Sequence, residues 1–296
     1  MKTLKYAWRF LMRSKSYTII NLLGLAFSLA CSIILMRYIH RELTVDAHSV
    51  NPEHIIIPIR DIEGNLHPGS LQQGWSETDS VYIPDHQIVE QCRLMLQQRD
   101  NVVYENSNYA MNIAAVDSTF FHFFHYPVAA GEAHLDAPGD AIITQRYARN
   151  IFGKENPIGK VLEYYGKNIT IKGVIGELGC KSLLRFDLLV SYRLVEHWQR
   201  MDISLMRILP GVDLDKINKA SNVYRKDKRG NRIRWEFITW KNLYWRNSIG
   251  HDYDSIMQFG NRTHLYILSG VTILLLLVGI LNFINIYMVF MMKRSK

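Results

Sequence analysis

Two uncharged apolar stretches, one toward each end, constrain this 296-residue chain more than any other feature. Residues 19–36 and 265–292 hold no Asp, Glu, Lys or Arg. At about 1.5 Å per residue they make helices of about 27 Å and about 42 Å, and the hydrocarbon core of a bilayer is about 30 Å thick. Both are predicted to span a membrane, the second with overhang. Charge then orients them. Residues 1–18 carry Lys2, Lys5, Arg9, Arg13 and Lys15 with no acid, and the last four residues carry Lys293, Arg294 and Lys296. These eight cations equal the net charge of +8, so residues 19–292 sum to zero. By the positive-inside rule both termini are cytoplasmic and the middle is extracytoplasmic. The basic balance thus reports membrane topology and gives no reason to expect nucleic acid as a partner.

The lead-in is more than a charged flank. Leu4, Ala7, Trp8 and Leu11 follow helical spacing, while Lys2, Lys5, Arg9 and Arg13 gather on another face. Such a helix lies in a membrane interface, with Trp8 at headgroup depth. Lys2, Lys5, Trp8, Arg9 and Arg13, with Lys293 and Arg294, are the expected membrane-interface residues, and lipid is an expected partner. A cleaved signal peptide is disfavoured. Its apolar region would be about 7–15 residues, whereas here Ile33, Ile34, Leu35 and Met36 prolong the run past Cys31. Cys31 reads as a small packing residue in the first span. Cys92 and Cys180 share the outer side, so a disulfide is allowed, but two separate thiols are expected.

The middle is long enough for one sizeable domain or two small ones and has no repeat at solenoid periods. Ile55-Ile56-Ile57 reads as a short buried strand. Residues 61–80, with Gly64, Pro68, Gly69 and Gly74, read as a loop, and 87–98 as a helix. Residues 102–104 and 109–116 read as strands around Asn106-Ser107-Asn108. The clearest unit follows: a strand at 141–143, Thr144 to cap a helix over 145–152, Gly153 to end it, a turn at Pro157 and Gly159, and a strand over 169–174. Asp213 opens another helix, and 225–234 is a basic loop with Gly230. Intermixed strands and helices predict a mixed α/β (α+β) domain.

No motif for chemistry survives inspection. Gly153-Lys154-Glu155-Asn156-Pro157-Ile158-Gly159-Lys160 resembles a phosphate-binding loop but separates its glycines by five residues rather than four. Val161 stands where a magnesium-binding Ser or Thr belongs, and Pro157 removes a backbone donor. His122 and His125 sit three apart inside Phe120-Phe121-His122-Phe123-Phe124-His125-Tyr126, which favours a packed aromatic segment over a metal site. GxSxG, HExxH and CxxC are absent from the sequence. The aromatic and basic stretch from 224 to 245 reads as surface and core. No residue is expected to be catalytic, and no cofactor or metal site is expected. In the second span Gly279, Asn282 and Asn285 are the expected helix-packing residues: an amide in lipid favours a partner on another helix, or else it meets water near the cytoplasmic interface.

At this point the sequence resembles the first part of a MacB/FtsX-type ABC transporter permease. The resemblance rests on Leu4-Lys5-Tyr6-Ala7-Trp8-Arg9, on the run from Ser16 to Leu25, and on Glu42-Leu43 followed by Asp46 and His48. It is strongest from Phe120 to Tyr192. There it includes Ala130-Gly131, the stretch from Phe152 to Lys160, Ile171-Lys172-Gly173-Val174-Ile175 and Phe186-Asp187. Leu281-Asn282-Phe283-Ile284-Asn285 resembles the start of the FtsX-like membrane domain. Gly179-Cys180 departs from an expected proline-containing turn, and residues 65–80 and 225–263 match loosely.

The resemblance implies a cytoplasmic segment over 1–18 and a first transmembrane helix over 19–40. An extracytoplasmic domain of the MacB periplasmic-core type follows over 41–263, then a second transmembrane helix over 264–292 and a cytoplasmic end over 293–296. Phe152, Gly153, Pro157, Gly159, Gly173 and Asp187 would be structural motif residues. The implied function is a permease subunit, itself not an enzyme, that couples ATP hydrolysis by a cytoplasmic ABC ATPase to movement of the outer domain. The implied process is export or lipoprotein handling in a bacterial inner membrane. The alternative is an FtsX-like regulator that activates a cell-wall hydrolase or senses envelope stress. A homodimer, or pairing with a second permease half, and a periplasmic partner are also implied. Family permeases continue beyond a second helix, so the resemblance implies a fragment, a split gene product or a truncated chain.

Overall fold

The computed structural model describes residues 15–69, 87–195, 202–226, 230–246, 248–249 and 256–292. In chain order these form α1 (Lys15–Leu43), β1 (Ile55–Ile62), β2 (Asn65–Pro68), β3 (Ile88–Tyr104), β4 (Ser107–Val116), α2 (Phe120–Phe123), β5 (Val128–Gly131), β6 (Asp140–Thr144), α3 (Gln145–Phe152), β7 (Val161–Tyr164), β8 (Lys167–Ile175), β9 (Leu188–Ser191), β10 (Ile203–Ile208), α4 (Leu214–Ser221), β11 (Arg225–Lys226), β12 (Arg232–Thr239), α5 (Trp240–Leu243) and α6 (Arg262–Met292). The chain divides into two units: α1 with α6, and Val45–Gly260.

The outer unit is built on a sheet of order β11-β12-β1-β10-β3-β4-β9-β6-β8-β5, with β2 on β1 and β7 on β3 and β8. Its pairings are antiparallel except β4 with β9 and β6 with β8. Both faces are covered, and the two-residue period shows how. Leu94, Ala114, Ile142 and Leu189 enter one core, with Ile55, Ile57, Ile59 and the aromatic segment Phe120, Phe123 and Phe124. Their chain neighbours Met95, Ile113, Ala115, Ile143, Leu188 and Val190 enter a second core with Ala148 and Phe152 of α3. Ile56 turns from Ile55 and Ile57 into a third, under Ile217 of α4. Successive side chains on a strand point to opposite faces, so a strand buried on both reads as an unbroken apolar run.

Turn chemistry fixes the hairpins. Glu63-Gly64, Glu105-Asn106 and Tyr165-Gly166 each place two successive residues at positive φ, the two-residue loop that matches strand twist. The helix α3 has the predicted bounds, the strand before it runs one residue further at each end than expected, and Gly153 follows at φ 62. Thr144 has the extended backbone of a cap, but its hydroxyl makes no cap bond. Asp213 does cap α4, accepting from the Lys216 N–H at 3.0 Å. Asn218 then grips β12 through both backbone groups of Phe237.

Three sequence expectations are corrected. In place of the helix expected over 87–98, residues 88–98 are strand, the first part of the seventeen-residue β3. Glu90, Gln91, Leu94, Met95, Leu96 and Gln97 are good helix formers, but pairing to both β10 and β4 overrides a local preference of tenths of a kcal/mol per residue. Residues 61–68 are the end of β1 and the hairpin strand β2, with the loop expectation for 70–80 lying outside the described residues. The basic loop expected over 225–234 is a strand pair at its described ends, β11 on β12.

Candidate functional site

The helix pair, the motif residues and the ends of the outer unit are the three places where function could reside. In the pair, small and polar residues form the seam. A Cβ built on Gly24 would lie 2.8 Å from Asn282 Nδ2, and one on Gly279 would lie 2.8 Å from Ser28 Oγ. Gly24, Ser28 and Ser32 recur every four residues on α1, so one stripe of small groups lets α6 approach. Ser28, Ser32 and Thr272 are buried, and their hydroxyls donate to Leu25, Ser28 and Leu268 carbonyls of their own helices. Gly279 and Asn282 therefore lie on the seam, whereas Asn285 is exposed on the pair. Asn21, one turn before Gly24, has its amide nitrogen buried without a partner. Lys2, Lys5, Trp8, Arg9, Arg13, Lys293 and Arg294 lie outside the described residues.

The motif residues stitch strands together. Gly173 in β8 stands opposite Gly131 in β5, and a Cβ on Gly173 would meet the Glu132 carbonyl oxygen at 2.0 Å. Only a residue without a side chain fits there. Phe152 is buried, its ring edge-on to Tyr104 with centroids 4.9 Å apart. Pro157 opens the turn in which the Lys160 N–H returns to its carbonyl, and Gly159 donates its N–H to Ile171. Neither glycine of 153–160 begins a helix, so the segment is a structural turn. Asp187 is buried just before β9. One carboxylate oxygen accepts from the Asn112 N–H (2.9 Å) and the other from the Arg146 guanidinium (2.8 Å), while its carbonyl accepts from Thr144. It ties β4, β6 and the start of α3 together.

A half-open cavity of about 480 Å³ lies beside Asp187, walled by Tyr126, Thr144, Arg146, Leu184 and Phe186 among others. The Tyr126 and Thr144 hydroxyl oxygens are buried there without a protein partner. Charge in the lining is balanced, Arg146 and Arg185 against Asp187 and Glu177, so it selects neither anion nor cation.

The ends of the outer unit meet on one loop, residues 181–185. The incoming segment enters it through Asp46, which follows α1 directly and is buried. The Asp46 N–H donates to the Lys181 carbonyl (2.8 Å), and Asp46 Oδ1 accepts from Ser182 Oγ (2.8 Å) and the Leu183 N–H (2.9 Å). Burial pushes the Asp46 carboxyl up to about 6, against the pull of these donors. The next turns are pinned as well: Ser49 bridges Phe124, Val50 donates to Phe123, and His125 donates to His48. The outgoing segment uses the other side of the loop. Gln258 donates to the Leu183 carbonyl (2.8 Å), Arg185 donates to Ile256 (2.6 Å), and Leu184 bridges Met257. Gly260 donates to the Tyr244 carbonyl, where a Cβ would strike the Tyr244 ring at 2.2 Å.

His48 brings Asp46 and Cys180 close together but makes no catalytic triad. Its Nδ1 lies 3.6 Å from Cys180 Sγ and 3.9 Å from Asp46 Oδ1, so one nitrogen faces both, while Nε2 is buried without a partner. A relay needs the thiol and the carboxylate on opposite nitrogens. Burial, with His125 nearby, lowers His48 to about 4, so the ring is neutral at pH 7. Cys92 is buried in the first core, far in character from a reactive thiol: burial raises its pKa strongly. Both Cys92 and Cys180 are free thiols. His122 is exposed and paired with Glu90, while Phe120, Phe123 and Phe124 around it are core. Asp46, Leu183 and Gln258 carried no signal as a group in the sequence, because Asp46 lies 137 residues from Leu183 and Gln258 lies far beyond it in turn.

Comparison with known proteins gives these features a context. Residues 18–222 match the MacB-like periplasmic core domain. No curated protein sequence matches the chain. Among solved structures it is similar to a domain of a protein described as a permease from Porphyromonas gingivalis, at 18% identity and a TM-score of 0.49 over 70% of this chain and 97% of that one. It is also similar to the periplasmic region of MacB from Actinobacillus actinomycetemcomitans, at 11% identity and a TM-score of 0.43 over 65% and 91% of the two chains. A third is the extracellular domain of the noncanonic ABC-type transporter YknZ from Gram-positive bacteria, at 14% identity and a TM-score of 0.40 over 51% and 82%. Two helices, Ile19–Leu43 and Arg262–Met288, are long and apolar enough to cross a membrane. With the family match covering well over half of its length, this chain is a membrane protein with an extracytoplasmic mixed α/β domain, and it belongs to the MacB-like periplasmic core domain family of ABC transporter permeases.

Proposed function

We propose that this chain is a permease subunit that converts ATP hydrolysis by a separate cytoplasmic ABC ATPase into movement of its outer domain, for export or lipoprotein and envelope handling. One observation carries the reading: the chain segments that leave α1 and lead to α6 are both hydrogen-bonded to residues 181–185, so the outer domain has a defined place to receive displacement. A ligand or partner shifts such an equilibrium only through contacts that differ between two states, and segments pinned in a buried core supply contacts that can differ. Both termini are cytoplasmic in this reading, with Lys2, Lys5, Arg9, Arg13, Lys293 and Arg294 at anionic headgroups, Trp8 at interface depth, and residues 45–260 outside. The chain itself splits no ATP. Asn285, exposed on the helix pair, faces helices of the same assembly, from a second copy or a second permease half, while Asn282 holds α6 to α1.

The test is topological and biochemical. In intact cells, with Cys180 replaced by Ser in both variants, an impermeant thiol reagent labels Lys154→Cys, an exposed position after α3, whereas Ser295→Cys reacts only after the membrane is opened. Reversed labelling would reject the orientation. The tagged full chain, solubilised from its native membrane, co-purifies with an ABC ATPase, and magnesium-dependent ATP turnover vanishes when that protein is removed. Turnover that persists in its absence would reject the subunit assignment.

A further inference from the structure

Leu183 is fully buried, and its two peptide groups face different partners: its N–H donates to Asp46 on the incoming side and its carbonyl accepts from Gln258 on the outgoing side. Ser182 and Lys181 extend the incoming contact, and Leu184 and Arg185 extend the outgoing one. Lys181 also reaches the Tyr244 hydroxyl through its amine. The loop lies within the first core, where Leu183, Leu184, Phe186, Tyr244 and Met257 pack together and Val45 lies against them.

From this geometry we propose that residues 181–185 form a clasp that fastens both ends of the outer domain to each other, and that Asp46 is the positioning residue that holds the clasp closed. The proposal rests on the coupling reading above and deepens it. A pull on the incoming segment reaches the outgoing one through a single residue, Leu183, without crossing the sheet. The cavity shares Leu184 and Arg185 with the clasp, so the clasp also forms part of its wall.

Asp46 suits this role for two reasons. Its carboxylate is the common acceptor for a side-chain hydroxyl and a backbone N–H, and charge-assisted bonds of this kind are the stronger ones. It also sits at φ 55, which Asp, Asn and Gly tolerate better than other residues. That second fact chooses the variants. Asp46→Gly removes the acceptor without adding backbone strain, and Asp46→Asn keeps an acceptor oxygen in the same place.

The experiment is amide hydrogen exchange on the full chain in lipid nanodiscs. Asp46→Gly accelerates exchange about tenfold or more at Leu183 and, across the clasp, at Gln258 and Arg185, while Leu189 and Val190 in the sheet keep their rates. Asp46→Asn stays within about threefold of the parent at all of these. Acceleration confined to Leu183, absent altogether, or shared by Leu189 and Val190 overturns the proposal. Should Asp46→Gly fail to fold, Ser182→Ala, which deletes one hydroxyl, must accelerate the same three amides by a smaller factor, and no change there is equally fatal. Exchange needs no ATPase, so it judges the clasp alone. With the partner ATPase and ATP added, labelling changes in the outer domain are lost in Asp46→Gly and kept in Asp46→Asn. If the exchange result holds and the ATP response is untouched, the clasp stands and the coupling reading falls.

Discussion

In the helix pair Ser32 is 1% exposed and Phe27 is 69% exposed; in the outer domain Ile55 is fully buried and the polar groups are mostly outside. The two units are inside-out relative to each other, because they are written for different solvents. In water, apolar burial drives packing at roughly 25 cal/mol per Å². In lipid it drives nothing, since acyl chains are as apolar as Leu274 or Ile273, and helices meet through close approach of small residues. Hydroxyls are harmless in the seam because Ser28, Ser32 and Thr272 donate to their own backbones. The same residues in the outer cores would displace the aliphatic contacts that hold three sheet-facing clusters together.

The sharpest break in this comparison comes from truncating matched apolar residues. Phe120→Ala, in the first core, is expected to lower stability of the outer domain by about 3–5 kcal/mol. Leu274→Ala, on the exposed face of α6, is expected to change helix pairing by less than about 1 kcal/mol because lipid replaces the lost contacts. Denaturant melts and helix cross-linking measure the two. Equal losses at both sites would refute the inside-out description.

Acid titration sharpens the outer side. Between pH 6.5 and about 4 the unfolded chain protonates His48 while the folded chain does not, so this group removes stability as pH falls, at about 1.4 kcal/mol per unit. Between about 6 and 3.8 the folded chain protonates Asp46 while the unfolded chain does not, so that group adds stability at the same slope. The two cancel between pH 6 and 4. Asp46→Asn uncovers the His48 slope, a fall of about 3 kcal/mol from pH 6.5 to 4, and His48→Gln uncovers a rise as pH drops from 6 to 4. Unfolding at fixed temperature across this range decides it; unchanged slopes in both variants would remove the buried pair from the account.

The smallest effect lies in the seam. With Ser28→Cys and Gly279→Cys, the built Cβ on Gly279 is 3.6 Å from the Ser28 Cβ, within the span of a disulfide, so mild oxidant joins the helices. Asn282→Leu weakens pairing by about 0.6–2 kcal/mol and lowers the cross-linking yield accordingly, whereas Asn285→Leu in the isolated chain leaves it unchanged. A reversed order would move the seam to the other face.

What the sequence made legible was whatever is local. The α3 unit, with its strand before and Gly153 after, depends on contacts within a dozen residues, and its bounds follow from composition. The strand at 55–57 and the Asp213 cap are equally local. The helix expected at 87–98 fails because β3 takes its conformation from β10, more than a hundred residues later. Gly173 was marked by resemblance alone, and its reason, the Glu132 carbonyl 2.0 Å from where a Cβ would be, needs β5 in place. The clasp was invisible for the same cause: Asp46, Leu183 and Gln258 have no shared spacing, and Gly179-Cys180 beside them registered only as a departure from an expected turn.

The pairing of β1 with β12, Ile57 with Ile238 and Arg60 with Trp235, joins the first strand of the outer domain to the last. A chain threaded across a membrane from its N-terminus delivers these partners far apart in time. Until residues 232–239 emerge, Ile55, Ile56 and Ile57 have no β12 to pair with, and such strands are templates for wrong pairing. The interval is set by transit of about 170 residues, roughly 10–30 s at a synthesis rate of about 5–20 residues per second. Holding that strand soluble through the wait is a task for the cell, written into the fold by the order in which its strands were connected.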